Sequence, residues 1–135
     1  MRMPTPAGRP AKLAGMRVLV VEDEALVSLL IEEELCGAGA TVLGPVHTLD
    51  AALRLIEVAA ADGGMDAAVL DIKLQKDAVT PVADRLAALG VPFLFATGYA
   101  GGCDTGGHAT APILHKPYSM ERLIAAVEDL ASTEA

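Results

Sequence analysis

Basic side chains are scarce in this chain. Ten lysines and arginines stand against eighteen aspartates and glutamates, a formal net charge of -8. A nucleic-acid surface needs clustered cations to neutralise phosphates, so no nucleic acid is expected as a partner. Long apolar runs are missing too. Although 53% of the residues are hydrophobic, none of the stretches approaches the roughly 20 residues that cross a bilayer, and no membrane partner is expected. The two cysteines, Cys36 and Cys103, lack the spacing of a metal or redox site and fit a reducing compartment. His47, His108 and His115 are scattered without ligand spacing. Aromatic residues number four, Phe93, Phe95, Tyr99 and Tyr118, all in the later part of the chain. The opening stretch carries Arg2, Arg9 and Lys12 among prolines and glycines, without the apolar segment of a signal peptide. Residues 1–15 are expected to form a disordered tail, 16–135 a single domain, and the location is expected to be cytoplasmic.

What is present is an alternation of short apolar runs and helical patterns. Arg17–Val21 reads as a first strand, and Val27, Leu30, Ile31 and Leu35 follow at helical spacing within 24–38. The acidic run Glu32-Glu33-Glu34 reads as a solvated face of that helix. Thr41–Leu43 is a second strand closed by Gly44-Pro45. Thr48 caps a helix with Leu49, Ala52, Leu53, Ile56 and Ala60 on its apolar side, ending before Gly63-Gly64. A third strand over 67–71 precedes a polar loop. Val79, Val82, Ala83, Leu86 and Leu89 mark a third helix, with Pro81 in its first turn. Phe93–Ala96 is a fourth strand and Pro112–Leu114 a fifth. Between them, residues 100–109 hold four glycines and no apolar period, so any fourth helix is weak or partly disordered. Ser119 caps a last helix with Met120, Leu123, Ile124, Val127 and Leu130 on one face. Five β-α repeats predict an α/β fold: a flavodoxin-like, doubly wound, five-stranded parallel sheet of order 2-1-3-4-5, with helices on both faces.

Chemistry collects at the strand ends. Glu22-Asp23 follows the first strand, Asp71 ends the third, Thr97-Gly98 ends the fourth and Lys116-Pro117 follows the fifth. In the predicted strand order the three carboxylates meet beyond the carboxyl edge of the sheet, where α/β proteins bind ligands. Such a cluster calls for a hard cation, and oxygen donors suit Mg²⁺. Lys116, the Thr97 hydroxyl and the Gly98 N–H would then address a tetrahedral anion. A carboxylate such as Asp71 can itself attack phosphorus to give an aspartyl phosphate.

These residues, in this order and at these distances, resemble the receiver domain of two-component response regulators over about 16–131. Pro92-Phe93-Leu94-Phe95-Ala96-Thr97-Gly98-Tyr99 further resembles the "FAT GUY" subgroup, often stand-alone receivers served by histidine kinases of the HWE or related type. The resemblance implies a single-domain regulator that takes a phosphoryl group from a histidine kinase or phosphotransfer protein onto Asp71. It implies Mg²⁺ ligated by Asp23, Asp71 and the backbone carbonyl of Lys73, with Glu22 acting largely through water. Lys116 and Thr97 would contact the phosphoryl group, and the Lys116-Pro117 bond would be cis. The chain would be no enzyme beyond assisting its own phosphorylation and dephosphorylation. Output would pass by protein contacts to an unidentified target, or the domain would drain phosphate from a kinase. One position departs from the family. Most receivers place an aromatic residue three before the lysine, where this chain has Ile113; Tyr99 is a candidate substitute, and an ordinary packed ring is the alternative reading of it.

Other readings fare worse. A haloacid-dehalogenase-type phosphatase shares the aspartyl phosphate but needs an acid two residues on, where Lys73 stands. A flavodoxin-like cofactor binder would carry a phosphate loop after the first strand, and Glu22-Asp23 would repel that phosphate. A non-phosphorylated receiver-like module has no reason to keep the full acceptor set.

Overall fold

The computed structural model describes residues 12–74, 77–97, 107, 108, 110–116 and 118–133. In chain order these form β1 (Arg17–Val21), α1 (Ala25–Gly37), β2 (Thr41–Val46), α2 (Leu49–Ala61), β3 (Ala67–Asp71), β4 (Lys73–Leu74), β5 (Asp77–Ala78), α3 (Thr80–Ala88), β6 (Phe93–Thr97), β7 (Ile113–His115) and α4 (Met120–Thr133). The main sheet is parallel, in the order β2-β1-β3-β6-β7. It is the flavodoxin-like, doubly wound arrangement read from the sequence, once the two-residue strands are set aside. β4 and β5 form a small antiparallel ribbon where a plain polar loop was expected.

The alternation of side chains along each strand divides the interior in two. Val18, Val20, Val69, Leu94 and Leu114 join Ile31, Leu35, Leu123 and Val127 on the face covered by α1 and α4. Leu19, Val21, Leu70 and Phe95 join Ile56, Val82 and Leu86 on the face covered by α2 and α3. β3 and β6 are buried along their whole length, which is why they read as unbroken apolar runs. Thr48 accepts a hydrogen bond from the Ala51 N–H at 3.2 Å and Ser119 one from Arg122 N–H at 3.1 Å, starting α2 and α4 as expected.

Several expectations need correction. The tail does not run to residue 15. Residues 12–15 form a turn in which Leu13 is fully buried under the α1–α4 face, its N–H donating to the Ala38 carbonyl at 2.9 Å. Burying one leucine is worth about 1.5–3 kcal/mol, enough to recruit a short flanking segment into the domain. Residues 1–11 lie outside the described residues. β2 continues through Gly44 and Pro45 to Val46, with a register irregularity against β1 between Leu19 and Val21. Gly44 has φ +94°, and a Cβ there would meet Val46 N at 2.8 Å, so glycine is the residue this bend accepts. On α1, Leu30 is 44% exposed and Ser28 is buried instead, its hydroxyl donating to the Ala25 carbonyl. On α2, Ala59 rather than Ala60 faces inward. Val79 precedes α3 rather than opening it. The weak helix expected within 100–109 falls mostly outside the described residues, and residues 107, 108 and 110–112 are not helical.

Candidate functional site

The parallel register carries β1, β3, β6 and β7 to one edge together. Val21 pairs with Leu70, Asp71 with Ala96, and Thr97 with His115, so the residue after each strand emerges at the same level. Glu22, Asp23, Asp71, Thr97 and Lys116 therefore converge, as their positions at strand ends predicted. Lys116 is fixed from behind, its N–H donating to the Thr97 carbonyl at 2.7 Å. Thr97 itself is fully buried.

Glu22, Asp23 and Asp71 each place a carboxylate oxygen within 4.8 Å of the others. Against them stands the Lys116 ammonium, 3.0 Å from Glu22 Oε1, 3.5 Å from Glu24 and 3.8 Å from Asp71 Oδ2. Glu22 is almost fully enclosed, with a side chain 2% exposed, and its other oxygen accepts the Glu24 N–H at 3.1 Å. The Asp71 side chain is 12% exposed. Its carboxyl is pushed up to about 8 by burial, then by the charge of Glu22 and a hydrogen bond with Asp23, against the pull of Lys116. Burial would lower the Lys116 ammonium, but its bond to Glu22 and the charges of Asp71 and Glu22 leave it above the ordinary lysine value.

A single ammonium does not neutralise three carboxylates. Hard oxygen donors this close fit a small divalent ion. The three carboxylates are placed to hold a metal ion.

Three neighbours of the site are not among the residues that the sequence marked as functional. His47, immediately after β2, sets Nδ1 2.8 Å from the Glu22 carbonyl. A carbonyl only accepts, so Nδ1 carries the proton in this contact. Its place just past a strand end was the available signal. Glu24 binds Glu22 through its backbone and approaches Lys116 through its side chain. Tyr118, two residues past Lys116, packs into the α1–α4 face. Ile113 is 37% exposed, in register with Phe95 and on the opposite face from Leu114. The Lys73 side chain, Gly98, Tyr99, Pro117 and the cis bond expected before it lie outside the described residues.

No family model matches the chain, and no curated protein matches it. Solved structures do. The solution structure of SdrG from Sphingomonas melonis Fr1 is 38% identical, with a TM-score of 0.66 over 86% of this chain and 97% of that one. The response regulator receiver protein of Sinorhizobium medicae WSM419 is 28% identical, with a TM-score of 0.74 over 89% of this chain and 97% of that one. The response regulator PhyR of Brucella abortus shares the fold at 23% identity and a TM-score of 0.76. This chain covers 94% of its own length in that match but only 52% of PhyR. With its sheet order, its strand-end carboxylates and these relatives, the chain belongs to the receiver domains of response regulators.

Proposed function

We propose that the chain is a single-domain response regulator that accepts a phosphoryl group on Asp71. The observation that carries this reading is the placement of Asp71: enclosed at the end of β3, ringed by Glu22 and Asp23, and 3.8 Å from the Lys116 ammonium. In the transfer, an Asp71 carboxylate oxygen forms a bond to phosphorus as the bond from phosphorus to the donor imidazole breaks, and the imidazole leaves to take up a proton. Mg²⁺ held by Asp23, Asp71 and the Lys73 carbonyl, with Glu22 acting largely through water, would offset the charge of the transferring group. Lys116 gives a second cation on the same side and turns toward the new charge. The Thr97 hydroxyl supplies a hydrogen bond to a phosphoryl oxygen. A divalent cation beside Asp71 would favour its ionised, nucleophilic form.

The donor is a histidine kinase or phosphotransfer protein, and the output is a contact with another protein or the draining of phosphate from the kinase. Two relatives support this. SdrG of Pseudomonas melonis Fr1 has a BeF3-activated conformation, and PhyR of Bartonella quintana is an anti-anti-sigma factor. Among the described residues no helix is long and apolar enough to cross a membrane, and the reading places the domain in the cytoplasm. Incubation with Mg²⁺ and acetyl phosphate, read by intact mass, tests it. Wild type is expected to gain one labile phosphoryl group and Asp71→Asn none. Equal labelling of both refutes the assignment.

A further inference from the structure

Among the described residues, the Tyr118 hydroxyl is a buried polar atom with no hydrogen-bond partner. Folding strips such a group of water without replacing it, so an orphan this close to a functional site calls for a role. Tyr118 lies between β7 and α4, two residues after Lys116, with its ring against the cluster that includes Val20, Ile31 and Leu123. The phenol stands in the field of Lys116, Glu22 and Asp71, and burial keeps it protonated, a donor rather than an anion.

Glu22 shows what that donor is for. Its carboxylate is enclosed and has two donors, the Lys116 ammonium on Oε1 and the Glu24 N–H on Oε2. Lys116 is shared, 3.0 Å from Glu22 and 3.8 Å from Asp71. A phosphoryl group on Asp71 adds nearly two negative charges and three acceptor oxygens, which draws the ammonium across and leaves Glu22 Oε1 buried without its donor. We propose that Tyr118 is a positioning residue of this site, its hydroxyl the donor that takes over Glu22 Oε1 when Lys116 turns to charge added at Asp71.

The exchange has a structural consequence. Ile113, where most receivers carry an aromatic, lies on the Phe95 face of the sheet. Tyr118 lies on the opposite face, against residues of α1 and α4. A movement of its ring is transmitted to that packing and not to the face of Ile113.

The inference rests on Asp71 as phosphoryl acceptor, and the experiment separates the two. Beryllofluoride with Mg²⁺ stands in for the phosphoryl group. Tyr118→Phe is expected to keep its metal-free melting temperature or raise it, because no hydrogen bond is lost, yet to bind beryllofluoride about tenfold more weakly. The chain has two tyrosines and no tryptophan, so Tyr99→Phe leaves Tyr118 as the sole emitter. Its fluorescence is expected to fall on beryllofluoride binding, as a phenol does when it donates to a carboxylate. Unchanged affinity in Tyr118→Phe, or unchanged emission in Tyr99→Phe, overturns the role of Tyr118 alone. A lowered metal-free melting temperature in Tyr118→Phe also overturns it, by showing the hydroxyl already partnered. A wild-type chain that takes up no beryllofluoride overturns the acceptor reading and this inference with it.

Discussion

Replacing Asp71 by asparagine should make the metal-free protein more stable, although it removes the residue on which its chemistry depends. The native carboxyl is held at about 8 against an ordinary 3.8, chiefly by burial and by the charge of Glu22. A carboxyl raised in this way binds its proton more tightly in the folded chain than in the unfolded one. Its contribution is therefore greatest at low pH, is lost as pH rises between 3.8 and about 8, and is level beyond. At pH 7 the unfolded chain is favoured by about 4 kcal/mol through this group, from 1.36 kcal/mol for each pH unit above 3.8. Water on the open side of the cluster reduces that, and a gain of about 2 kcal/mol for Asp71→Asn is expected. Asparagine keeps the size of the side chain and cannot ionise. Urea unfolding in chelator at pH 5 and pH 8 measures the effect. The advantage of the variant should grow with pH, and millimolar Mg²⁺ should reverse the order by stabilising wild type more than the variant, which keeps Asp23 and Glu22 but loses one carboxylate. A variant less stable than wild type at pH 8 without metal, or parallel pH slopes, would refute the reasoning.

Two further outcomes are expected. In Mg²⁺ titrations by calorimetry, Asp23→Asn should lose more affinity than Glu22→Gln, because both Glu22 oxygens are already engaged by Lys116 and Glu24; equal losses would put Glu22 in direct contact with the ion. Leu13→Ala should cost about 2–5 kcal/mol in urea unfolding, the range for a fully buried leucine, and a loss below about 0.5 kcal/mol would return residues 12–15 to the tail.

The sheet was legible because β3 and β6, buried on both faces, leave unbroken apolar runs that end in Asp71 and Thr97. The acidic pair and Lys116 could be placed from the same strands, since parallel pairing brings their ends to one level. Leu13 was not legible. It stands alone among prolines and glycines with no neighbour at helical or strand spacing, so only its contact with the turn after α1 reveals it. Nor could the buried side of α1 be read. Leu26, Val27, Leu29, Leu30 and Ile31 surround the helix with apolar surface, and periodicity cannot choose between them. Packing chose Ile31 and Leu35, with Ser28 beside them, and left Leu26 70% exposed. The orphaned hydroxyl of Tyr118 is a relation between distant residues, and no local pattern encodes it.

The two borders of the main sheet bear on how other proteins can engage this domain. β2 is bent at Gly44 and carries Pro45, which has no N–H to offer, while β7 is three residues long. Neither border presents a regular row of donors and acceptors on which a foreign peptide could lay down another strand. Self-association by stacking sheet against sheet edge is discouraged in the same way. A partner that engages the helices instead should change its selectivity with substitutions there and be insensitive to backbone substitutions along β2.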